Sequence, residues 1–415
     1  MKLLCLSNGH GEDIIAVQII QHLQRHSLAP DIAALPLVGE GHAYSQHQIP
    51  IIGPVQNMPS GGFIYMDGKQ LGRDLRGGLL QLTWAQYQAM GRWMKSSGKG
   101  KILAVGDIVP LLFAWLSGAD YGFVGTAKSE YYLRDEGGWL PQTNWFRRMM
   151  GSVYEPWERW LMSRRRCKAV FPRDKLTTDI LRQWSIPAFD LGNPMMDGLE
   201  SQLSLTSTRE EDRPLVIVLL PGSRVPEAEN NWQQILQALR GIMSEFKHNS
   251  LLFLSAIAPS LNLAVFEESA LIYGWKKLAP DAIKIPINDL HSLYLTKNNA
   301  TLVLTQNSYA DCLNLADLGI AMAGTATEQV VGLGKPVITM PGNGPQFTYR
   351  FAEAQARLLG HSIILVKQPE LVVKGIKSLF QDADRLHLIA VNGKRRMGQS
   401  GAAQRIANCL TEILQ

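Results

Sequence analysis

The sequence predicts an α/β protein built from two doubly wound halves, each a parallel sheet with helices on both faces. Short apolar runs alternate with longer amphipathic runs along the whole chain, which is typical of βαβ units. A polar, turn-rich stretch at 192–214 interrupts this pattern, and the pattern then restarts. The length of 415 residues also exceeds the size at which one hydrophobic core usually keeps growing.

The apolar runs place the strands. In the first half we predict a helix over 12–26 and strands over 2–7, 32–38, 101–107 and 167–172. In the second half we predict strands over 215–223, 251–257, 301–306, 318–324 and 336–342. The predicted boundaries are a first domain at 1–198, a linker at 199–213, a second domain at 214–385, and C-terminal helices at 386–415 that have the option of returning to the first domain.

Composition excludes several classes of protein. Apolar residues make up 46% and charged residues 19%, which argues against disorder. A net charge of +5 is too mild for a nucleic-acid binder. The four cysteines are widely spaced and form no metal motif, so we expect reduced thiols and no metal. The N-terminal apolar run is too short for a signal peptide, and no run approaches the ~20 apolar residues of a membrane-spanning helix, so we expect a cytoplasmic protein.

Ligands of such sheets bind beyond the carboxyl ends of the strands, and one such loop is "AGTATEQ" at 323–329. Gly324 permits a sharp turn, Thr325 can cap a helix, and the free N–H groups of the first turn, through Ala326 and Thr327, suit a phosphate. Glu328 has two interpretations: it accepts hydrogen bonds from a sugar diol, or it is the glutamate of a capping box that begins at Thr325.

A second loop of this kind is "LLPGSRVPEAE" at 219–229. Gly222 and Ser223 follow a predicted strand, and Arg224 places a bidentate donor beside a helix opening, which suits a diphosphate. The alternative is a surface arginine in an ordinary loop between strand and helix. Two such loops in one half of the chain favour an anion site more than either does alone.

The first half offers two candidate reactive groups. "SNGHGED" at 7–13 lacks the spacing of a dinucleotide fingerprint. Within it His10 is either a base or anion ligand, or a turn histidine at a helix N-cap. Asp13 falls in the first helical turn, where a carboxylate also has a structural reason to lie. Asp107 ends the third strand of this half, and its alternative role is to cap a helix over 108–118.

Taken in order, "SNGHGED", "VGD" (105–107), "GNPMMDG" (192–198), "LLPGSR" and "AGTATEQ…GKPVI" resemble the lipid A disaccharide synthase family along nearly the whole chain. The resemblance implies the GT-B fold, with two Rossmann-like domains facing a cleft. It implies transfer of a sugar from a UDP donor to a lipid-linked acceptor with inversion. The residues it assigns to the UDP are Arg224, Gly324, Thr325 and Glu328, and we add Gly222, Ser223, Ala326 and Thr327 from the same two loops to the predicted UDP-sugar site. It places Asp107 beside the acceptor hydroxyl, and we also assign Asn8, Gly9, Gly11 and Asp13 of the first loop to the acceptor side.

The chain departs from the family pattern in three places. The glycines of the first loop are placed differently, "GTAKSEYYLRDEGGW" (125–139) replaces a serine- and tryptophan-rich stretch, and a Leu-Pro-Asn segment is missing near 361–370. We therefore expect a related hexosyltransferase, with lipid A synthesis as one possibility. Without an Asp-x-Asp pair at a strand end, we expect neither metal nor cofactor, with Asp107 or His10 as the base. The alternatives are a UDP-sugar 2-epimerase and a nucleotide-sugar-binding regulator without catalysis.

The basic excess is concentrated in "NWFRRMMGSVYEPWERWLMSRRRCK" at 144–168, where seven cations alternate with aromatic and other apolar residues. This composition fits a segment in an anionic membrane interface, and the alternative is a buried helix with a solvated basic face. A second candidate is "LLQLTWAQYQAMGRWM" at 79–94. The sequence therefore predicts peripheral association with the inner face of a membrane.

Overall fold

The computed structural model describes residues 2–27, 29–56, 78–98, 100–201, 203, 213–279, 285, 287, 289–344 and 346–414. The chain divides into two compact units. The first consists of Met1–Asp197 together with Gln399–Gln415, and the second of Gly198–Gly398. Most of the predicted linker at 199–213 lies outside the described residues.

The first unit alternates strands and helices. Its elements up to residue 183 are β1 (Lys2–Ser7), α1 (His10–Gln24), β2 (Asp31–Pro36), α2 (His42–Gln46), α3 (Leu79–Ser97), β3 (Lys101–Gly106), α4 (Ile108–Leu116), β4 (Tyr121–Gly125), β5 (Arg134–Asp135), β6 (Gly138–Trp139), α5 (Trp145–Met150), α6 (Pro156–Met162), β7 (Cys167–Pro172) and α7 (Lys175–Gln183). The main sheet has the order β2-β1-β3-β4-β7, with every pair parallel.

Both faces of this sheet are buried because helices cover each side. Leu3 and Cys5 of β1 belong to one apolar cluster, and Leu4 and Leu6 belong to another. Successive side chains of a strand point to opposite faces, so one short run supplies both layers. This explains why β1 is apolar throughout instead of alternating between apolar and polar residues.

The second unit repeats the plan with a larger sheet. Its elements are β8 (Leu215–Leu220), α8 (Glu227–Glu245), β9 (Leu251–Ala256), α9 (Leu263–Ile272), β10 (Lys276–Leu278), β11 (Leu293–Lys297), β12 (Ala300–Thr305), α10 (Tyr309–Leu315), β13 (Leu318–Ala321), α11 (Thr325–Gly332), β14 (Val337–Thr339), α12 (Tyr349–Leu359), β15 (Ile363–Leu365), α13 (Val372–Phe380) and α14 (Ala383–Met397). The sheet order is β10-β11-β12-β9-β8-β13-β14-β15. The strands β12, β9, β8, β13, β14 and β15 are parallel to one another, and β10 and β11 add to the edge beside β12 as antiparallel strands.

The last helix, α15 (Ala402–Ile413), belongs to the first unit. Asp197 of the "GNPMMDG" motif caps it, because its carboxylate accepts hydrogen bonds from the backbone N–H groups of Gly401 (2.6 Å), Ala402 (3.0 Å) and Ala403 (2.7 Å). The helix then packs its apolar face, which includes Ile406, into the cluster that covers β1. The structure thus divides the chain at residue 398, whereas the sequence analysis divided it at 385, inside α14.

The structure contains strands that the sequence analysis did not assign. β4 (121–125) was missed because its two glycines lower the strand signal, although it lies buried inside the sheet. β15 has only three residues, and the antiparallel strands β10 and β11 are half-exposed and polar. The predicted first helix begins two residues earlier than expected, at His10.

Candidate functional site

The candidate site of the second unit lies where its strand order reverses. From β8 the chain proceeds outward through β9 and β12, then crosses to β13, β14 and β15 on the other side. This is the order of a dinucleotide-binding sheet, whose ligands bind outside the carboxyl ends of the strands at this reversal. The loops that follow β8 and β13 flank the reversal; the first contains Arg224, and the second leads into α11, which contains Glu328.

The loop after β8 presents Ser223 and Arg224 at the surface. Gly222 has a φ of +108°, and a Cβ there would lie 3.3 Å from the Met322 carbonyl oxygen, so the turn requires glycine. The Arg224 guanidinium donates a hydrogen bond to Gln346 Oε1, in the loop after β14. The Gln346 side chain thus orients the guanidinium that we predict to donate hydrogen bonds to a diphosphate.

The loop after β13 differs from the sequence expectation at Thr325. Gly324 is the N-cap of α11, no side chain in the described part of the chain caps the helix, and Thr325 is its first residue. The interpretation of Thr325 and Glu328 as a capping box is therefore wrong, since that motif needs its threonine at the N-cap. Glu328 is buried at 8% exposure and follows one turn later. The absence of a side-chain cap leaves the first backbone N–H groups of α11 available to an anion.

Two side chains that the sequence analysis missed hold these loops together. Asn231 donates to the Pro221 carbonyl oxygen (2.9 Å) and to the Met322 carbonyl oxygen (3.3 Å), which joins the loops after β8 and β13. Glu227 accepts from the backbone N–H of Phe347 (2.6 Å) and thereby joins the loop after β14. Asn231 and Glu227 both lie on α8. The helical pattern predicts only whether such positions face the core or the surface, so no local signal marks these two residues as links between loops.

The first unit has its own reversal point between β1 and β3, because the sheet order is β2-β1-β3-β4-β7. Asp107 follows β3 at this point. Its Oδ1 accepts from the backbone N–H of Val109 (2.8 Å), so Asp107 is the N-cap of α4. The capping role that the sequence left open is therefore present, and it occupies only one of the two carboxylate oxygens.

Burial raises the pKa of Asp107 to about 6, and the Glu158 carboxylate adds to the rise. The Val109 amide, the Asn8 side chain and the Lys128 ammonium act in the opposite direction. A carboxyl group with this proton affinity is mostly ionised at neutral pH and is a stronger base than an exposed aspartate.

The loop after β1 places its predicted residues differently. His10 is exposed and is the first residue of α1, with Gly9 as the N-cap at a φ of +128°. His10 is therefore not an N-cap histidine. Gly11 is exposed and has no atom within 4 Å of the position a Cβ would take, so no packing demands glycine there. Asn8 is 3% exposed.

Asp13 lies below the loop, in the core. It is 2% exposed, and its Oδ1 accepts from the Ser7 hydroxyl (2.6 Å), which in turn accepts from the Tyr44 hydroxyl (2.6 Å). Burial raises the pKa of Asp13 to about 6, while the Ser7 hydrogen bond lowers it. The sequence analysis placed Asp13 on the acceptor side. In the structure, Asp13 is buried beneath the loop and stabilises it through the hydrogen bond with Ser7.

Glu12 is a further carboxylate at this strand end that the sequence analysis did not single out. Its Oε1 accepts from the Thr126 hydroxyl (3.2 Å), beyond β4. Burial raises the pKa of Glu12 to about 7, and the charges of Asp107 and Asp13 add to the rise. Only the meeting of three strand ends brings Glu12 close to Asp107, so sequence spacing gave no signal.

Solved structures share this architecture across nearly the whole chain. MurG from Acinetobacter baumannii matches with a TM-score of 0.57 at 16% identity, covering 99% of each chain. The calicheamicin glycosyltransferase CalG4 matches with a TM-score of 0.59 at 12% identity, covering 100% of this chain and 98% of that one. The chain has the GT-B fold.

UDP-GlcNAc 2-epimerase from Neisseria meningitidis, solved with UDP-GlcNAc bound, has the same fold, with a TM-score of 0.53, 14% identity, and coverage of 99% of this chain and 100% of that one. No protein-family model and no curated protein matches the sequence. The fold predicted from the motifs is thus confirmed, and the comparisons identify GT-B relatives without singling out the lipid A disaccharide synthase family.

The basic and aromatic segment 144–168 forms α5 and α6, and its apolar side chains reach the surface. The exposed members are Trp145, Phe146, Met149, Trp157 and Trp160. Several cations are engaged inside the unit: Arg159 is 7% exposed and stacks on Trp184, and Arg147 pairs with Glu155 (2.5 Å). Folding therefore engages some of the seven cations of this segment in contacts within the protein.

Two neighbouring helices extend this exposed apolar surface. Trp115 of α4 contacts Trp160 edge-on at a centroid distance of 5.3 Å. Tyr87 of α3 contacts Phe113 of α4 in the same way at 6.5 Å, and Trp84 of α3 is 62% exposed. We name the exposed side chains of these four helices the apolar surface: Leu80, Trp84, Tyr87, Leu112, Leu116, Trp145, Phe146, Met149, Trp157 and Trp160.

Two further findings concern the described part of the chain. Its residues contain no group of three or more His, Cys, Asp or Glu side chains that could hold a metal ion. None of its helices is long and apolar enough to cross a membrane.

Proposed function

We propose that the protein is an inverting hexosyltransferase that moves a sugar from a UDP-sugar to a lipid-linked acceptor, in a manner similar to lipid A disaccharide synthase. The observation that carries this proposal is the pair of strand-end sites, one in each unit. An uncapped helix start beside an exposed arginine suits a diphosphate, and a buried carboxylate with a raised pKa suits a base.

The second unit would hold the donor. The backbone N–H groups that begin α11 and the Arg224 guanidinium would bind the diphosphate and stabilise the charge that develops on it. Glu328 would accept hydrogen bonds from a sugar hydroxyl. Gly222, Ser223, Gly324, Thr325, Ala326 and Thr327 would complete the donor site.

The first unit would activate the acceptor. The acceptor oxygen attacks the anomeric carbon, and its proton passes to the oxygen of Asp107 that does not cap α4. The bond from the anomeric carbon to the diphosphate breaks, and its electron pair leaves on UDP. A positioned base contributes about 10² to 10⁴ in rate. His10, exposed at the start of α1, is the alternative base.

A lipid acceptor would be reached through the apolar surface. Four of the exposed side chains that form it are tryptophans, and tryptophan prefers the headgroup region of a membrane. Exposed cations beside it, among them Arg148 and Arg165, would contact anionic headgroups. The protein would then work peripherally on the inner face of a membrane.

A UDP-sugar 2-epimerase is the second candidate, because a solved epimerase with bound UDP-GlcNAc shares the fold. It would use the same donor site and would have no need of the apolar surface. A nucleotide-sugar-binding regulator would need neither Asp107 nor that surface.

The decisive experiment is a screen of UDP-sugars with purified protein, with and without a total lipid extract, in which release of UDP is measured. We expect release that depends on lipid. A new UDP-sugar without release would indicate the epimerase, and binding without turnover would indicate the regulator.

The assignment of the base is tested in the same assay with Asp107→Asn. Asparagine also caps helices well, so the fold should persist and UDP binding should be unchanged. Turnover should fall by about 10²-fold or more. If His10→Ala abolishes turnover while Asp107→Asn stays active, the two roles must be exchanged.

A further inference from the structure

A buried glutamine on α12 holds the loop that leads into α11. Gln355 is 2% exposed, and its Nε2 donates hydrogen bonds to the carbonyl oxygens of Ala323 (3.2 Å) and Gly324 (3.0 Å). Phe351, one turn earlier on α12, has its Cζ 3.7 Å from the position that a Cβ on Gly324 would take. Two residues on one face of α12 therefore contact the start of α11.

These hydrogen bonds set the direction of two backbone N–H groups. Both carbonyl groups point toward one nitrogen atom, and in a trans peptide the N–H lies antiparallel to the C=O. The N–H groups of Gly324 and Thr325 therefore point away from the buried Gln355, toward the side on which Thr325 is exposed. Neither N–H donates to another backbone group in the part of the chain that the structure describes. Two adjacent donors that point the same way suit an anion.

The hydrogen bond from Gln355 competes with the first hydrogen bond of the helix. The Gly324 carbonyl oxygen also accepts from the Glu328 backbone N–H, but at 3.4 Å, which is longer than the usual ~2.9–3.0 Å. Its bond with Gln355 is shorter, at 3.0 Å. The glutamine thus draws this carbonyl out of line with the helix.

Packing alone does not explain an amide at position 355. The Gln355 Oε1 is buried and has no hydrogen-bond partner within the described residues. Buried polar atoms are normally paired, and an unpaired one lowers the stability of the folded state. Methionine would fill a similar volume without a buried acceptor. The feature that requires glutamine is therefore the pair of hydrogen bonds that its nitrogen donates.

We propose that Gln355 is a positioning residue of the donor site, which aims the N–H groups of Gly324 and Thr325 at the diphosphate of the UDP-sugar. This inference rests on the proposed function, since it concerns the same donor site. Gln355 does not touch the ligand: it acts through the two carbonyl groups that it holds. Donors that are oriented before the ligand arrives need no rearrangement when charge develops on the leaving diphosphate.

The first experiment compares UDP with uridine, which lacks the diphosphate, by calorimetric titration of the wild type and Gln355→Met. The variant should fold, because Ala323 O still accepts from the Thr327 hydroxyl (2.6 Å) and Gly324 O still accepts from Glu328 N–H. Its melting temperature should equal or slightly exceed that of the wild type. The Kd for UDP should rise by about 10-fold or more, and the Kd for uridine should not change.

Gln237→Met is the matched control, because it changes an exposed glutamine on α8 of the same unit. It should alter neither Kd. If Gln355→Met weakens UDP and uridine equally and also lowers the melting temperature, Gln355 has only a structural role and the proposal is wrong.

The second experiment observes one of the two N–H groups directly. Ala323-Gly324 is the only Ala-Gly step in the sequence, so protein labelled with ¹³C at alanine carbonyls and ¹⁵N at glycine gives one NMR correlation for this peptide. Gln355→Met should shift the Ala323 carbonyl resonance in the free protein. In the wild type, UDP should move the Gly324 amide proton downfield and uridine should not. In Gln355→Met at saturating UDP this movement should be much smaller.

The outcomes separate this proposal from the proposed function. If UDP moves the Gly324 resonance in the wild type only, the positioning role holds even where no UDP-sugar is turned over and the transferase function fails. If UDP leaves the wild-type resonance unmoved, or moves it equally in Gln355→Met, the positioning role is wrong even where lipid-dependent release of UDP establishes the transferase.

Discussion

Asp107 combines a structural and a reactive role in one side chain. One oxygen caps α4, and the burial that this position requires also raises the pKa of the carboxyl to about 6. An unfolded aspartate has a pKa near 3.9. The folded protein therefore binds this proton more tightly than the unfolded chain does. Protonation of Asp107 thus adds to the free energy of unfolding below about pH 4, and this contribution is lost as pH rises through about 6.

We predict that Asp107→Asn stabilises the first unit at high pH. Asparagine keeps the cap and carries no charge, so the free energy of unfolding should equal that of the wild type near pH 4 and exceed it by about 1–3 kcal/mol at pH 8. Urea unfolding at both pH values measures the difference. Asp31→Asn, at an exposed position on β2, is the control and should show no such gain. The same difference at both pH values would contradict the prediction.

Arg224 is predicted to bind the donor diphosphate. Arg224→Ala should weaken UDP binding by about 1.5–3 kcal/mol, because it removes a charge-assisted hydrogen bond. Calorimetric titration with UDP measures the loss. Arg240→Ala removes another exposed arginine of the same unit, on α8, and should leave the affinity unchanged. Equal affinity in Arg224→Ala and the wild type would leave Arg224 as a surface residue.

At the scale of elements, the packing of α14 on α11 fixes the helix that begins the donor site. A Cβ on Gly393 would lie 2.0 Å from the Val331 carbonyl oxygen, and the nearest atoms belong to backbone that cannot rotate away. The two helices must therefore approach closely, and this contact keeps α14 with the second unit. The sequence gave no sign of it, because one glycine in a helix has many explanations.

We predict that Gly393→Ala destabilises the second unit by about 1–3 kcal/mol, the usual cost of overpacking, and weakens UDP binding as α11 shifts. Gly11→Ala is the matched control: it lies in a helix with open space around it, so the change should be neutral or stabilising by up to about 1 kcal/mol. Thermal unfolding and UDP titration of both variants provide the measurement. A fully stable Gly393→Ala variant would show that the helices can separate without cost.

At the scale of the whole molecule, the apolar surface and the cations beside it should contribute to membrane binding in different ways. Trp145 is 74% exposed, whereas Arg159 is almost fully buried. Apolar insertion depends on exposed area, and electrostatic attraction depends on charges that reach the solvent. Because folding buries some of the cations and leaves the tryptophans exposed, we expect apolar insertion to contribute a larger share of the membrane-binding free energy than the sequence alone indicated.

We predict reversible binding to anionic vesicles that added salt weakens only in part. A variant with Trp145, Phe146 and Met149 changed to Ser should lose most binding to both anionic and neutral vesicles, whereas Arg164, Arg165 and Arg166 changed to Glu should lose mainly the salt-sensitive part. Cosedimentation of variants that still bind UDP measures both. If the wild type ignores anionic vesicles at low salt, the apolar surface is not a membrane contact and the epimerase gains support.

The sequence by itself determined that the chain forms two doubly wound α/β halves, because periodic apolar runs are local signals, and the motifs that resemble the lipid A disaccharide synthase family predicted the GT-B fold. It also located Arg224, Gly324, Glu328 and Asp107 at strand ends. Only the tertiary structure decided which groups lie close together. It shows that Asp13 is buried in the core, that Gly324 is the N-cap of α11, and that Glu12 lies near Asp107. The physical reason is that strand order, and with it the neighbours of each strand end, depends on long-range packing that no local pattern records.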